Sequence, residues 1–277
     1  MHENITIVAV YGHNDGACAL PAILRSMNEL PGSQGLLISV EKPWGVPEGI
    51  RWVQTAPLDY RQYSLYMMYC LHQHIYTDYA LTVQDDGWVL NGKNWTDEFL
   101  AYDYVGSPTH AGLVGENMYI TFTWQEVMDQ HPKVVQNGGL SLRSKAFMKA
   151  PMKHGIMHTG HFQEPFCNED VQLTSMLKEK MERVGIKYAP LDLAKRFGIE
   201  YLGPKFHDDI DFNKLLGHHA PNRKLVAYNH IKCNHPLSQV STYFRELEFL
   251  QWLQDASGYT LEYYDVPKEQ SAEQIAA

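Results

Sequence analysis

The chain has 277 residues, 44% of them hydrophobic and 20% charged, the composition of a folded globular protein with a sizeable core rather than of a disordered one. Its formal net charge of -9 excludes a protein that holds nucleic acid by bulk charge, which needs clustered Lys and Arg. The four cysteines, Cys18, Cys70, Cys167 and Cys233, form no Cys-x-x-Cys pair, which argues against a disulfide framework or a structural zinc site and fits a reducing compartment.

In chain order, Ile5 to Val10 is a β-branched run that predicts a buried strand, Ala17 to Glu29 has helical spacing, and Gly35 to Val40 predicts a second buried strand. Pro43, Gly45, Pro47 and Gly49 mark a loop. Arg51 to Gln54 reads as a short third strand, Tyr60 to Ile75 as a long amphipathic helix, and Tyr79 to Gln84 as a fourth strand. Further on, Asn137 to Arg143 predicts a strand entered through a glycine turn, and His154 to Cys167 a loop. A helix is expected from Glu169 to Val184 with Asn168 as its cap, a strand within Leu225 to Cys233, a helix over Ser238 to Ala256, and a frayed tail from Lys268. Strands alternating with helices imply an α/β fold with a mostly parallel sheet covered on both faces. No repeat or linker interrupts the chain, so one domain is expected. The N-terminus lacks the basic start and apolar run of a signal peptide, and no apolar run reaches the roughly 20 residues of a membrane helix. The expected location is the cytoplasm, with room for peripheral docking on a membrane surface.

Three groups of residues carry chemistry. Asp85 and Asp86 follow the fourth strand, at the sheet edge where open α/β sheets bind ligands. Carboxylates there can hold a divalent cation that bridges a diphosphate, although an Asp-Gly turn between strands accounts for the same residues. Asn168-Glu169-Asp170 suits a helix start, where a carboxylate favours the helix dipole or, facing a ligand, serves as a general base. The chain also has 14 histidines, and an imidazole joining the Asp pair would favour manganese over magnesium.

From Thr77 to Pro108 the chain reads TDYALTVQDDGWVLNGKNWTDEFLAYDYVGSP. This resembles a bacterial family of uncharacterised GT-A-like glycosyltransferases associated with surface-polysaccharide biosynthesis. The family has a strand ending in Gln-x-Asp-Gly, an Asn-x-x-Trp-x-x-Glu-Phe segment and a Tyr-Asp-Tyr-x-Gly-x-Pro element. They match Gln84 to Gly87, Asn91 to Phe99 with altered spacing, and Tyr102 to Pro108. Asn137-Gly138-Gly139-Leu140-Ser141-Leu142-Arg143 matches the family's glycine-rich strand, Glu169-Asp170-Val171 its acidic helix start, and Leu216-Gly217-His218-His219-Ala220 its Phe-Gly-Phe-His-Gly element. The resemblance covers roughly residues 5 to 220. The usual Trp-Pro stretch after Gly-x-Pro is replaced by Thr109-His110-Ala111-Gly112, a departure that bears on the acceptor.

The resemblance implies a GT-A-like fold, a Rossmann-like αβα sandwich on one mostly parallel mixed sheet. About residues 1–110 would form a nucleotide-sugar-binding half, about 111–235 an acceptor-binding half, and 236–277 a C-terminal helix and tail. It implies hexosyl or related transfer from a nucleotide-sugar donor to a glycan or lipid-linked glycan, with a divalent cation, Mn2+ rather than Mg2+, and inversion. Asp86 and His219 would ligate the metal, and Tyr11, Asn14, Gln84, Asp85, Gly138 and Gly139 would hold the donor. Asp170 would be the base and Glu169 would orient the acceptor, with Arg143 a candidate replacement for the metal. Two rival readings are a metal-dependent hydrolase built on the His-rich loops and an inactive sugar-binding module.

Overall fold

The computed structural model describes residues 2–114, 119–121, 133–161 and 164–264. The expected frayed tail from Lys268 lies outside them. The strands, in chain order, are β1 (Ile5–Tyr11), β2 (Gln34–Ser39), β3 (Ile50–Gln54), β4 (Tyr79–Thr82), β5 (Gly87–Val89), β6 (Tyr104–Val114), β7 (Tyr119–Thr121), β8 (Lys133–Ser144), β9 (Gly198–Ile199), β10 (Gly217–His219), β11 (Arg223–Ala227), β12 (His230–Cys233) and β13 (Thr260–Tyr263).

Among the described residues the main sheet has seven strands in the order β3-β2-β1-β4-β8-β6-β7. The first four are parallel, β8 runs antiparallel between β4 and β6, and β7 is antiparallel to β6. This is the mostly parallel mixed α/β sheet that the sequence implies. The period of two along β1 divides the core. Ile5, Ile7, Ala9 and Tyr11 face a cluster that includes α1 (Leu20–Glu29) and the helices Leu191–Phe197 and Glu246–Asp255. Val8 and Val10 face a second cluster with α2 (Tyr60–Tyr69) and the helix Lys145–His154. Helices thus cover both faces.

Several expected elements are broken or absent. The helix expected from Tyr60 to Ile75 stops at Tyr69, and a 3-10 turn at Leu71–Gln73 follows. Its start is firmly set, because Asp59 and Gln62 form a reciprocal capping box. Gly138 and Gly139 lie inside the long β8 rather than in a turn before it. The helix expected from Glu169 to Val184 is three pieces: a turn at Glu169–Val171, a π-helical stretch at Gln172–Met176, and Lys178–Arg183. The interruption accommodates Gln172, whose buried amide bonds Thr159 and the Phe166 carbonyl. Asn168 occupies the cap position, but its side chain makes no capping bond. Leu225 to Cys233 is a hairpin of two strands, not one, turning at Tyr228–Asn229. The C-terminal helix begins only at Glu246, after a short turn at Leu237–Val240 and a left-handed residue, Arg245.

Two small sheets went unread in the sequence. One, β5-β10-β9, brings a late segment back against the acidic turn: His219 pairs with Gly87, His218 with Trp88 and Gly217 with Val89. The other is β11-β12-β13. No helix among the described residues is long and apolar enough to cross a membrane.

Candidate active site

The acidic turn is held by its backbone. Gln84 and Gly87 exchange both N–H···O bonds, at 2.8 and 3.0 Å, leaving Asp85 and Asp86 as the two turn residues. The late segment fastens them: the Ala220 N–H donates to the Asp86 carbonyl at 2.8 Å, and the Leu225 N–H to the Asp85 carbonyl at 2.7 Å. A two-residue loop of acids, which repel each other, is thereby fixed without using either carboxylate.

The carboxylates then face different partners. The Tyr11 hydroxyl donates to Asp85 Oδ1 at 2.7 Å and accepts the Asp85 N–H at 3.1 Å. Lys224 Nζ donates to Asp85 Oδ2 at 3.0 Å. Burial opposes the charge on Lys224, but the hydrogen bond and charge of Asp85 hold its pKa above the ordinary lysine value. Burial and Asp85 push the Tyr11 hydroxyl far up, so it stays a donor.

Asp86 Oδ1 lies 3.3 Å from His219 Nε2, which is also 3.2 Å from Gln84 Oε1. The two residues expected to share a cation are therefore in contact, although 133 positions separate them in sequence. Burial disfavours the charged form of both, yet each holds the other charged: the Asp86 pKa is lowered and the His219 pKa raised. Gly139 makes this possible. A Cβ there would sit 2.3 Å from His219 Nε2 and 2.6 Å from Gln84 Oε1.

On the far side of the imidazole lies Glu200, its Oε1 4.0 Å from His219 Nδ1. Burial, opposed by His219, lifts Glu200 to about 7. Three buried atoms here lack a hydrogen-bond partner: Asp86 Oδ1, His219 Nδ1 and Glu200 Oε2. Among the described residues no group of three His, Cys, Asp or Glu side chains is spaced to enclose a metal alone. One carboxylate and one imidazole fit a cation that takes its remaining ligands from outside the protein.

Tyr11, Asn14, Gln84, Asp85 and Asp86 all line one cleft of about 660 Å³ at the C-terminal edge of β1 and β4, with Lys224 and, from the start of α2, Asp59, Tyr60 and Tyr63. The exposed Asn14 turns its amide oxygen onto the Gly16 N–H at 2.8 Å.

Gly138, Gly139, Glu169 and Asp170 are not among the residues that line this cleft. Asp170 Oδ2 accepts the Gly138 N–H at 3.0 Å and Oδ1 accepts the Val171 N–H at 2.7 Å. Burial and then the Glu169 charge raise Asp170 to about 6, against the pull of those two bonds. Its charge reaches Tyr60 in the cleft wall and His219. Glu169 is buried against Arg143 at 2.9 Å, and the same guanidinium nitrogen donates to the Gly138 carbonyl at 3.1 Å. Arg143 is therefore engaged within the core, and the cation that reaches the cleft is Lys224. No sequence pattern marked Lys224 or Glu200; each is a single charged residue whose position depends on a late strand.

Among the described residues the histidines do not gather around one point. His218 is fully buried edge-on against Trp88, His207 accepts the Gly203 N–H at 3.0 Å, and His154 and His161 are exposed.

No curated protein matches the chain. Among solved structures it is similar to the galactosyltransferase LgtC in complex with donor and acceptor sugar analogs, at 14% identity and a TM-score of 0.47, over 96% of this chain and 98% of that one. It is also similar to an active-site mutant of LgtC, at 13% identity and a TM-score of 0.44, over the same shares. Residues 58–219 match the sequence family described as "Protein of unknown function (DUF5672)", a segment that opens on the cleft wall at Leu58 and closes on His219. That match spans more than half of the chain, and the chain belongs to this family.

Proposed function

We propose that the protein is a glycosyltransferase that binds a nucleotide-sugar donor in the 660 Å³ cleft and passes the sugar to an acceptor hydroxyl. The observation that carries this reading is the contact of Asp86 with His219 at 3.3 Å beside that cleft, at the ligand-binding edge of an open α/β sheet. Tyr11 and Asn14, which line the cleft, would meet the base and ribose. Lys224 brings a positive charge to the diphosphate, and Asp85 orients that lysine. A cation held by Asp86 and His219 would neutralise charge on the departing diphosphate, and the imidazole favours Mn2+ over Mg2+.

Asp170, with a pKa near 6, is suited to accept the acceptor's proton near neutral pH, which favours inversion. Glu169 acts indirectly: it holds the Arg143 guanidinium that donates to the Gly138 carbonyl, and the N–H of that same glycine donates to Asp170. Gly138 and Gly139 contribute by giving room, and the acceptor is a glycan or lipid-linked glycan. The hydrolase reading is disfavoured because the described histidines do not gather around one point. A sugar-binding module without catalysis would bind donor but not turn it over.

The test is release of nucleoside diphosphate from a panel of nucleotide sugars with Mn2+. Turnover is expected with one donor class in the wild type and a loss of at least about 10²-fold in Asp86→Asn, the scale of removing charge stabilisation at the leaving group. No turnover across the panel, or an Asp86→Asn protein as fast as wild type, rejects the reading.

A further inference from the structure

We infer that Glu200 is a positioning residue that accepts the Nδ1 proton of His219 and so fixes Nε2 as the nitrogen offered to a cation. This rests on the reading of Asp86 and His219 as cation ligands. The register of the small sheet sets the contact. β9 pairs in parallel with β10, Gly198 with Gly217 and Ile199 with His218, so Glu200 is the next residue along, beside His219. Its backbone is anchored separately: the Arg223 guanidinium donates to the Glu200 carbonyl at 3.0 Å, and Arg223 is itself paired with buried Glu246. The backbone that carries the carboxylate is thus anchored, while the carboxylate itself keeps rotational freedom.

The ring nitrogens have unequal surroundings. Nε2 faces two oxygens, Gln84 Oε1 and Asp86 Oδ1. Nδ1 has no hydrogen-bond partner, and the nearest acid, Glu200, has an unpartnered oxygen although its side chain is only 12% exposed. Glu200 Oε1 stands 4.0 Å from Nδ1 and the partnerless oxygen of the same carboxyl is Oε2, so a rotation of that carboxyl would satisfy two buried polar groups that otherwise go unpaired. With Nε2 as the nitrogen that would hold a cation, the ring's one proton would sit on Nδ1, the side that faces Glu200. A carboxylate behind a ligating imidazole fixes the tautomer and raises ligand basicity.

The experiment titrates Mn2+ into protein in the presence of excess UDP or GDP, followed by electron paramagnetic resonance, for wild type, Glu200→Gln and Glu200→Leu. The Leu variant is expected to bind Mn2+ about 10–100-fold more weakly, the usual effect of losing such a partner. The Gln variant, whose amide oxygen still accepts the proton, is expected to recover most of the affinity. In the diamagnetic Mg2+ complex, wild type is expected to show a slowly exchanging Nδ1–H on His219 that Glu200→Leu lacks. If Glu200→Leu does not fold, Glu200→Asp carries the test, since the shorter carboxylate retracts from Nδ1. Wild-type protein that binds no Mn2+ removes the cation reading and this inference with it. Wild type that binds while the Leu or Asp variant binds equally well overturns the role of Glu200 alone.

Discussion

At the scale of single residues, adjacent carboxylates behave differently because their partners differ. Glu169 pairs directly with a guanidinium, while Asp170 bonds two backbone N–H groups and feels that guanidinium and its neighbour's charge without a direct ion pair. Asp170→Asn is expected to cut the turnover rate by about 10²–10⁴ while donor binding stays near wild type. Its cost in stability should stay within about 1 kcal/mol, since the amide oxygen still accepts one backbone N–H. Steady-state rates at saturating donor beside a melting curve check this, and near wild-type turnover removes Asp170 as the base. The pH dependence follows in sign. A base whose pKa is raised to about 6 is ionised above that value, so turnover should fall as pH drops through 6 and level off above 7. An unchanged acid limb in Asp170→Asn would assign the titration to another group. Asp85, Asp86 and Asp170 were legible in the sequence because clustered acids at a strand end or helix start form a pattern. Lys224 and Glu200 form none, and their meaning comes from tertiary contact.

Elements place these residues through close backbone approach. β8 passes behind His219 at Gly139, and the room for the imidazole is the side chain that the strand lacks. Gly139→Ala is expected to push His219 off Gln84 and Asp86. Overpacking of this kind typically costs about 1–3 kcal/mol, and Mn2+ affinity should fall with it. Mn2+ titration and denaturant melts check both, and an Ala variant with wild-type affinity would show that the ring adapts. Of the four parallel strands, β1, β2 and β4 were legible as buried apolar runs, while β3 is only partly buried and carries Arg51 and Gln54. The three-residue strands β5 and β10 were not, since so short a segment has no readable period. The helices were overextended for a related reason: apolar spacing continues past Tyr69 and through Gln172, while the breaks answer to particular contacts, such as the Gln172 amide serving the loop before it.

At the scale of the molecule, two apolar clusters clamp the sheet from either face, and the cleft opens at its edge, where residues from early and late parts of the chain meet. Nucleoside diphosphate with Mn2+, at about 100 times its dissociation constant, should add about 2.7 kcal/mol to stability. For a chain somewhat larger than 250 residues that is a rise in melting temperature of roughly 5 °C or slightly more. Calorimetry should lose the shift in chelator; a full shift in chelator would mean that Lys224 carries the diphosphate without a cation.

The strand β10 also sets a timetable. Asp86 and His219 meet only through a three-residue pairing that bridges 133 positions. Contacts of such separation are slow to close, because the entropy of the intervening loop is lost before the contact forms. During synthesis at about 5–20 residues per second, roughly 7–27 seconds elapse between the appearance of Asp86 and that of His219. The nascent chain can therefore lay down β1 to β4 while its acidic turn still lacks both the imidazole and the Ala220 and Leu225 amides that hold it, so the chemically demanding corner of the molecule is completed well after the sheet edge on which it stands.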